Sequence, residues 1–338
     1  MGSLQLLQGC ARISRLRSLA VLSTALGLAI LGSGSAAHAQ LVITPTFDAT
    51  ITGGTNAAAI QAAITSAIAT YQTSFTDPIN VTIQFGEMST GLGQSQATSY
   101  KFGYGTLHNA LIADATSADD ATALAHLPGG ANNPVNGTAN MTIKTANIRA
   151  LGIAGSFPSI LAGGFDGIIG LNTHITDIGN IGTTGDYSLS AVIQHEIDEV
   201  LGLGSDVGGT GFFADPAMED LYRYNAAGAR TFSLAVDDAF LSLDGTTDLA
   251  RYNNLNNGGD TGDYHTGGTT HVQDAFATPG THPTLNVELR ALDAIGYTRV
   301  TGVTATPEPS AFAMLGAGAL ALSGYGVRRR KRSRKTAA

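Results

Sequence analysis

Residues 188–204 read Ser188-Leu189-Ser190-Ala191-Val192-Ile193-Gln194-His195-Glu196-Ile197-Asp198-Glu199-Val200-Leu201-Gly202-Leu203-Gly204. The stretch predicts a helix over 188–203, capped by Asp186 or Ser188 and stopped by Gly202 and Gly204. His195 and Glu199 are four residues apart, so on a helix they project from one face, about a turn from each other. A zinc ion can take two ligands at that separation, with bonds of roughly 2 Å. Glu196, beside the first ligand, is placed to take a proton from an attacking water as general base. This is the logic of His-Glu-x-x-His with Glu199 in place of the second His. Glutamate is a legitimate zinc ligand, but it is anionic and harder than imidazole, which leaves the ion less positive charge for activating water. The competing reading is an exposed acidic helix face. Glu196 and Glu199 make purely apolar burial of His195 costly.

Outward from this helix, the chain alternates strands and helices. Leu41 to Phe47 predicts a strand. Ile60, Ile64, Ile68 and Tyr71 recur at helical spacing within a predicted helix from Asn56 to Phe75. Ile79, Val81, Ile83 and Phe85 alternate with polar residues, a strand with one buried face. Ser99 to Leu127 reads as short helices, with Ser117 a plausible cap. Met141 to Ile153 and Gly167 to Asn172 read as further strands, and Leu285 to Ile295 as a short final helix. The layout predicts one α+β domain over residues 40–306, with an irregular Gly/Asn/Asp-rich C-terminal part.

The two ends read as processing segments. Arg12, Arg15 and Arg17 precede an apolar run from Leu19 to Leu31, and Ala37-His38-Ala39 offers a cleavage site, so residues 1–39 are expected to be a signal peptide. At the other end, Pro307-Glu308-Pro309 precedes 17 largely apolar residues (Ala311 to Val327) and then Arg328 to Lys335, a basic block that would stay cytoplasmic. Residues 307–338 closely resemble the PEP-CTERM sorting signal: motif, transmembrane helix, basic tail. The resemblance implies a chain held transiently in the inner membrane and processed by an exosortase. Its body would then lie at the cell surface or outside the cell.

Charge is uneven. Between the two ends lie eight of the 18 basic residues and 25 of the 26 acidic ones, leaving the body 17 charges negative. Such a body repels nucleic acid and anionic lipid. The single cysteine, Cys10, falls in the signal, so disulfides cannot brace the body. Carboxylates and carbonyls in 244–248 and 253–263 are a candidate calcium set, although the spacing is not that of an EF-hand.

The helix motif has company. Met218-Glu219-Asp220-Leu221-Tyr222-Arg223-Tyr224, Phe232-Ser233, Leu243-Asp244-Gly245, Asp274-Ala275-Phe276 and Leu292-Asp293-Ala294-Ile295-Gly296-Tyr297, taken with His195 to Gly202, resemble a bacterial PEP-CTERM metalloprotease family. That family is similar to metzincins. The resemblance implies a mixed sheet, an active-site helix, a Gly turn, a Met-containing turn for which Met218 could stand, and a zinc-dependent endopeptidase acting on secreted or surface protein. Where the third metzincin ligand would fall stands Ser205, with Asp206 next. Asp206 is therefore the leading third ligand after His195 and Glu199, with Asp220, His265 and His271 as the others. The alternative reading is a non-catalytic surface or biofilm-matrix protein on a degenerate protease fold.

Overall fold

The computed structural model describes residues 40–178, 186–235, 238–255 and 257–300. The proposed signal peptide and the sorting tail lie outside the described residues.

Alternating Leu41 and Ile43 are buried at the start of β1 (Val42–Phe47). A one-turn helix, α1 (Ala49–Thr52), follows, and the Asp48 carboxylate caps it by accepting the Thr50 and Ile51 N–H groups. Helix α2 (Ala57–Ser74) buries the expected Ile60, Ile64, Ile68 and Tyr71. Strand β2 (Asn80–Glu87) buries Val81, Ile83 and Phe85. Next come β3 (Gly93–Ala97), β4 (Ser99–Gly103), α3 (Tyr104–Asp114) and α4 (Ala118–Ala125). Ser117 and Asp120 form a reciprocal capping box on α4. Then follow β5 (Asn140–Lys144), α5 (Thr145–Ala150), β6 (Gly167–Leu171), the short β7 (Thr176–Asp177) and β8 (Tyr187–Ser188), and helix α6 (Leu189–Leu201). Beyond α6 regular structure is sparse: β9 (Arg223–Tyr224), β10 (Phe240–Leu241), β11 (Ala250–Arg251) and α7 (Val287–Ala294).

The fold is α+β, as expected. The main sheet is mixed, in the order β1-β2-β6-β3. β1, β2 and β6 are parallel, while β3 runs antiparallel along β6 with Ser95 opposite Ile169. A single hydrophobic core runs from Leu41 to Tyr297. Within it α6 packs on β6, β3 and α2. Tyr71 of α2 donates to both the Gln194 carbonyl and the Asp198 carboxylate of α6, each at 2.8 Å. From the C-terminal part, the Tyr297 hydroxyl donates to the Leu201 carbonyl at 2.7 Å, so the last helix region closes over the end of α6.

Two local expectations are corrected, and one strand is unforeseen. Ser99–Gly103 is a strand, paired antiparallel with β5, where short helices were expected. The strand expected over 141–153 ends at Lys144 and gives way to α5. The run Thr145-Ala146-Asn147-Ile148-Arg149-Ala150 is short and mixes polar with apolar residues, so its pattern does not separate a buried helix from a strand. Five of the six α5 residues are buried, and Asn147 reaches across to donate to the Ile295 carbonyl at 2.8 Å. Strand β3, Gly-Gln-Ser-Gln-Ala, carries no hydrophobic alternation and is not predicted; backbone pairing to β6 makes it.

Candidate metal centre

Helix α6 is held at both ends. Ser188 accepts the Ala191 N–H, and Asp177 Oδ1 accepts that of Leu189 at 2.8 Å. At the other end Gly202 adopts φ 146°, a backbone that side-chain-bearing residues avoid. The Lys144 ammonium donates to the Glu199 and Leu203 carbonyls, placing a cation at the negative end of the helix dipole. Glu219, fully buried, accepts the Gly204 N–H at 2.6 Å and the Tyr252 hydroxyl at 3.0 Å, which fixes the turn that follows.

Leu189, Ile193, Ile197, Val200 and Leu201 are buried in the core, while Val192 lines the cleft beside Glu196. His195, Glu196 and Glu199 project the other way. The His195 ring donates from Nδ1 to the Val272 carbonyl at 3.0 Å, which turns its Nε2 toward the acids of the site. That Nε2 lies 3.6 Å from Asp263 Oδ1 and 4.0 Å from Glu199 Oε1. His195, Glu199 and Asp263 each offer one ligand atom, and all three atoms lie within 4.8 Å of one another. Glu199 is steadied from the sheet, where Ser95 Oγ on β3 donates to its Oε2 at 2.5 Å.

Asp263 arrives on the irregular segment. A Cβ at Gly262 would lie 2.5 Å from the Ser205 backbone nitrogen, so only glycine lets this segment lie against the turn after α6. Tyr264 then pairs with Gln273 and Ala275 through backbone hydrogen bonds of 2.7 and 2.8 Å.

The electrostatics suit a cation. Burial pushes Glu196 up to about 9, against His195, with the charges of Glu199 and Asp263 adding to the rise. Burial likewise lifts Asp263 to about 7, opposed by His195 and reinforced by Glu199. Burial opposes charge on His195, yet Asp263, Glu196 and Glu199 outweigh it and raise the imidazole to about 10. Without a cation Glu196 and His195 thus hold protons at neutral pH, and a divalent cation would displace them. Glu196 Oε2 is buried with no hydrogen-bond partner, so it is free to act on a bound molecule. The centre opens on a cleft of about 760 Å³ lined by Gly93, His195, Glu196, Asp263, Asp274 and Phe276, among others.

His195, Glu196 and Glu199 are thus brought together as the helix spacing predicts. Asp206 stands outside the cluster. Its carboxylate accepts from the Thr142 hydroxyl and lines a separate cavity of about 160 Å³ with Ser205 and Met218, one that Glu199 also borders. Burial raises Asp206 to about 6; the Thr142 bond works against this and Asp220 adds to it. Asp220 is a brace: it takes the Ser205 hydroxyl, the Asp206 N–H at 3.1 Å and the Ala217 N–H at 2.8 Å. The His271 ring packs edge-on to Tyr264, 5.6 Å between centroids, and neither it nor His265 belongs to the cluster. Met218 is buried beside Glu199 in the small cavity.

The two loops considered for calcium are largely turned inward on themselves. Asp244 accepts from Thr246 and Thr247, backbone and side chain, and those bonds hold its carboxyl well below the usual range. Asn253 bonds Asn257 at 3.0 Å and the Asp260 carbonyl at 3.1 Å. Asp263 closes that second run, which is the only sequence signal that could have drawn attention to it.

A PEP-CTERM protein-sorting motif matches residues 305–331. No curated protein and no solved structure matches the chain. Among the described residues no helix is long and apolar enough to cross a membrane. The motif match covers the tail alone, and on it the chain is an exported protein, sorted by an exosortase to the cell envelope or surface.

Proposed function

We propose that the body is an exported zinc-dependent endopeptidase that hydrolyses peptide bonds in secreted or surface proteins. The observation that supports this reading best is the convergence of His195, Glu199 and Asp263, with buried Glu196 beside them at the cleft, its Oε2 without a hydrogen-bond partner. Zinc, when bound, would supply Lewis acidity toward the scissile carbonyl and acidify the attacking water. Glu196 would take that proton and return it to the departing amine. The Val272 carbonyl fixes the ring of His195 and Ser95 fixes Glu199, so the donors need little rearrangement. β3 lies at the end of the sheet, and Leu92 and Gly93 line the cleft. An extended peptide could pair with that edge and lay its backbone across the centre. The tail would hold the chain in the inner membrane until the exosortase acts.

The test is zinc content and cleavage of a general protein substrate by the purified chain, alongside Glu196→Gln. The parent should hold one zinc and cleave; Glu196→Gln should hold zinc and not cleave. A chain that holds no zinc and cleaves nothing refutes the proposal and favours the non-catalytic surface-protein reading.

A further inference from the structure

Gln273 is fully buried, and its backbone is clamped on both sides: its N–H donates to Glu288 Oε1 at 3.1 Å and its carbonyl accepts from Tyr264 at 2.7 Å. The side chain therefore has little freedom to wander. The end of its amide placed as Nε2 lies 3.4 Å from His195 Nε2 and 3.2 Å from Asp263 Oδ1. The other end, Oε1, is buried without a partner.

Donors that share a tetrahedral zinc at roughly 2.1 Å stand about 3.4 Å apart. By that measure the Gln273 amide sits in the cluster as closely as its charged members do: His195 to Asp263 is 3.6 Å, and His195 to Glu199 is 4.0 Å. An amide's oxygen and nitrogen exchange places by a half-turn about the last side-chain bond. With no cation, the amide nitrogen faces the Asp263 carboxylate, where an oxygen would meet only lone pairs. With a cation between them, the oxygen is the end that gains.

We propose that the Gln273 side-chain oxygen is the fourth donor to the metal held by His195, Glu199 and Asp263. This rests on the metal reading above. The set then has one nitrogen and three oxygens. Its two carboxylates would balance a divalent charge, the amide would add a donor without adding charge, and the attacking water would take a fifth position.

The test uses the full chain, stripped of metal by a chelator and titrated with Zn²⁺ against a competing dye, then with Co²⁺ followed by visible absorption. Gln273→Met keeps the volume and removes the amide; Gln273→Glu keeps an oxygen donor and removes the N–H. The Met variant should bind Zn²⁺ more weakly by beyond the roughly 10–100-fold that loss of an outer hydrogen bond costs. Its Co²⁺ spectrum should change. The Glu variant should bind at least as tightly as the parent. If the Met variant does not fold, the Glu variant alone decides. Zinc binding by the Met variant equal to the parent's overturns the inference. So does a loss in the Glu variant as large as that in Met, since it would show that the amide acts only as an N–H donor to Asp263. A parent that binds neither ion overturns this inference together with the metal reading, whereas a metal-binding parent with an indifferent Gln273 overturns this one alone.

Discussion

Gly93 of β3 lies directly against Glu196 of α6: a Cβ on Gly93 would fall 2.3 Å from Glu196 Oε1 and 2.8 Å from Val192 Cγ1. The edge strand and α6 meet at a point where only a hydrogen fits, and the proposed general base is held there. Gly93→Ala should therefore overpack this contact and cost about 1–3 kcal/mol of stability, read by denaturant unfolding. Proteolysis should fall further than the unfolded fraction explains, because Glu196 must move.

Glu196→Gln should leave zinc content unchanged and lower peptide cleavage by about 10²–10⁴-fold, the usual weight of a general base. Measuring metal and turnover on the same sample separates this from a ligand loss.

The carboxylate that completes the cluster distinguishes the geometry from the spacing. Asp263→Ala should abolish stoichiometric zinc. Asp206→Asn should keep it, since Asp206 faces Thr142 in another cavity. Metal analysis of the two variants checks both statements. Zinc lost from Asp206→Asn and retained by Asp263→Ala would restore the ligand that the family resemblance implies.

Tyr71→Phe removes the hydroxyl that reaches the Asp198 carboxylate, whose second oxygen has no partner among the described residues. Asp198 is fully buried, so the loss should cost about 1–3 kcal/mol. Thermal unfolding at constant metal load would measure it.

Away from the centre, a group of acids gives a pH dependence. Burial lifts Asp114 to about 7, with Asp77, Asp120 and Asp293 adding to the rise. Burial also lifts Asp77 and Asp293 to about 6 each, against the hydrogen bonds they accept. Their folded values lie above the usual 3.8, so the folded chain binds these protons more tightly than the unfolded one. Their contribution to stability is thus greatest at low pH and is lost as pH rises through about 6 to 7. Metal-free protein should unfold at a lower temperature at pH 8 than at pH 5.5, and Asp114→Asn should flatten that slope. A slope unchanged in the variant would count against the assignment.

What could be read from residues alone follows a physical line. Ile60, Ile64 and Ile68, Val81 to Phe85, and the glycine-stopped run from Ser188 are periodic, so hydrophobic spacing defines them without reference to the rest of the chain. His195, Glu196 and Glu199 share a helix, so their proximity is local. Asp263 and Gln273 reach the same point only through the Gly262 approach and the pairing around Tyr264. No local spacing encodes that meeting. β3 escapes for a related reason: Gln94, Ser95 and Gln96 have no strand signature, and β6 confers one by pairing.

The tie between Gln273 and His195 spans 78 residues, that between Tyr71 and Asp198 spans 127, and that between Asn147 and Ile295 spans 148. Contacts so distant in sequence close late, after the loop between them has been drawn in. A chain threaded across a membrane N-terminus first delivers α6 well before Asp263 and Gln273 arrive. The helix pair would already be outside while half of the donors were still in transit. The cluster could therefore come together only once residues 263 to 273 had followed, so its assembly would report that most of the body has crossed.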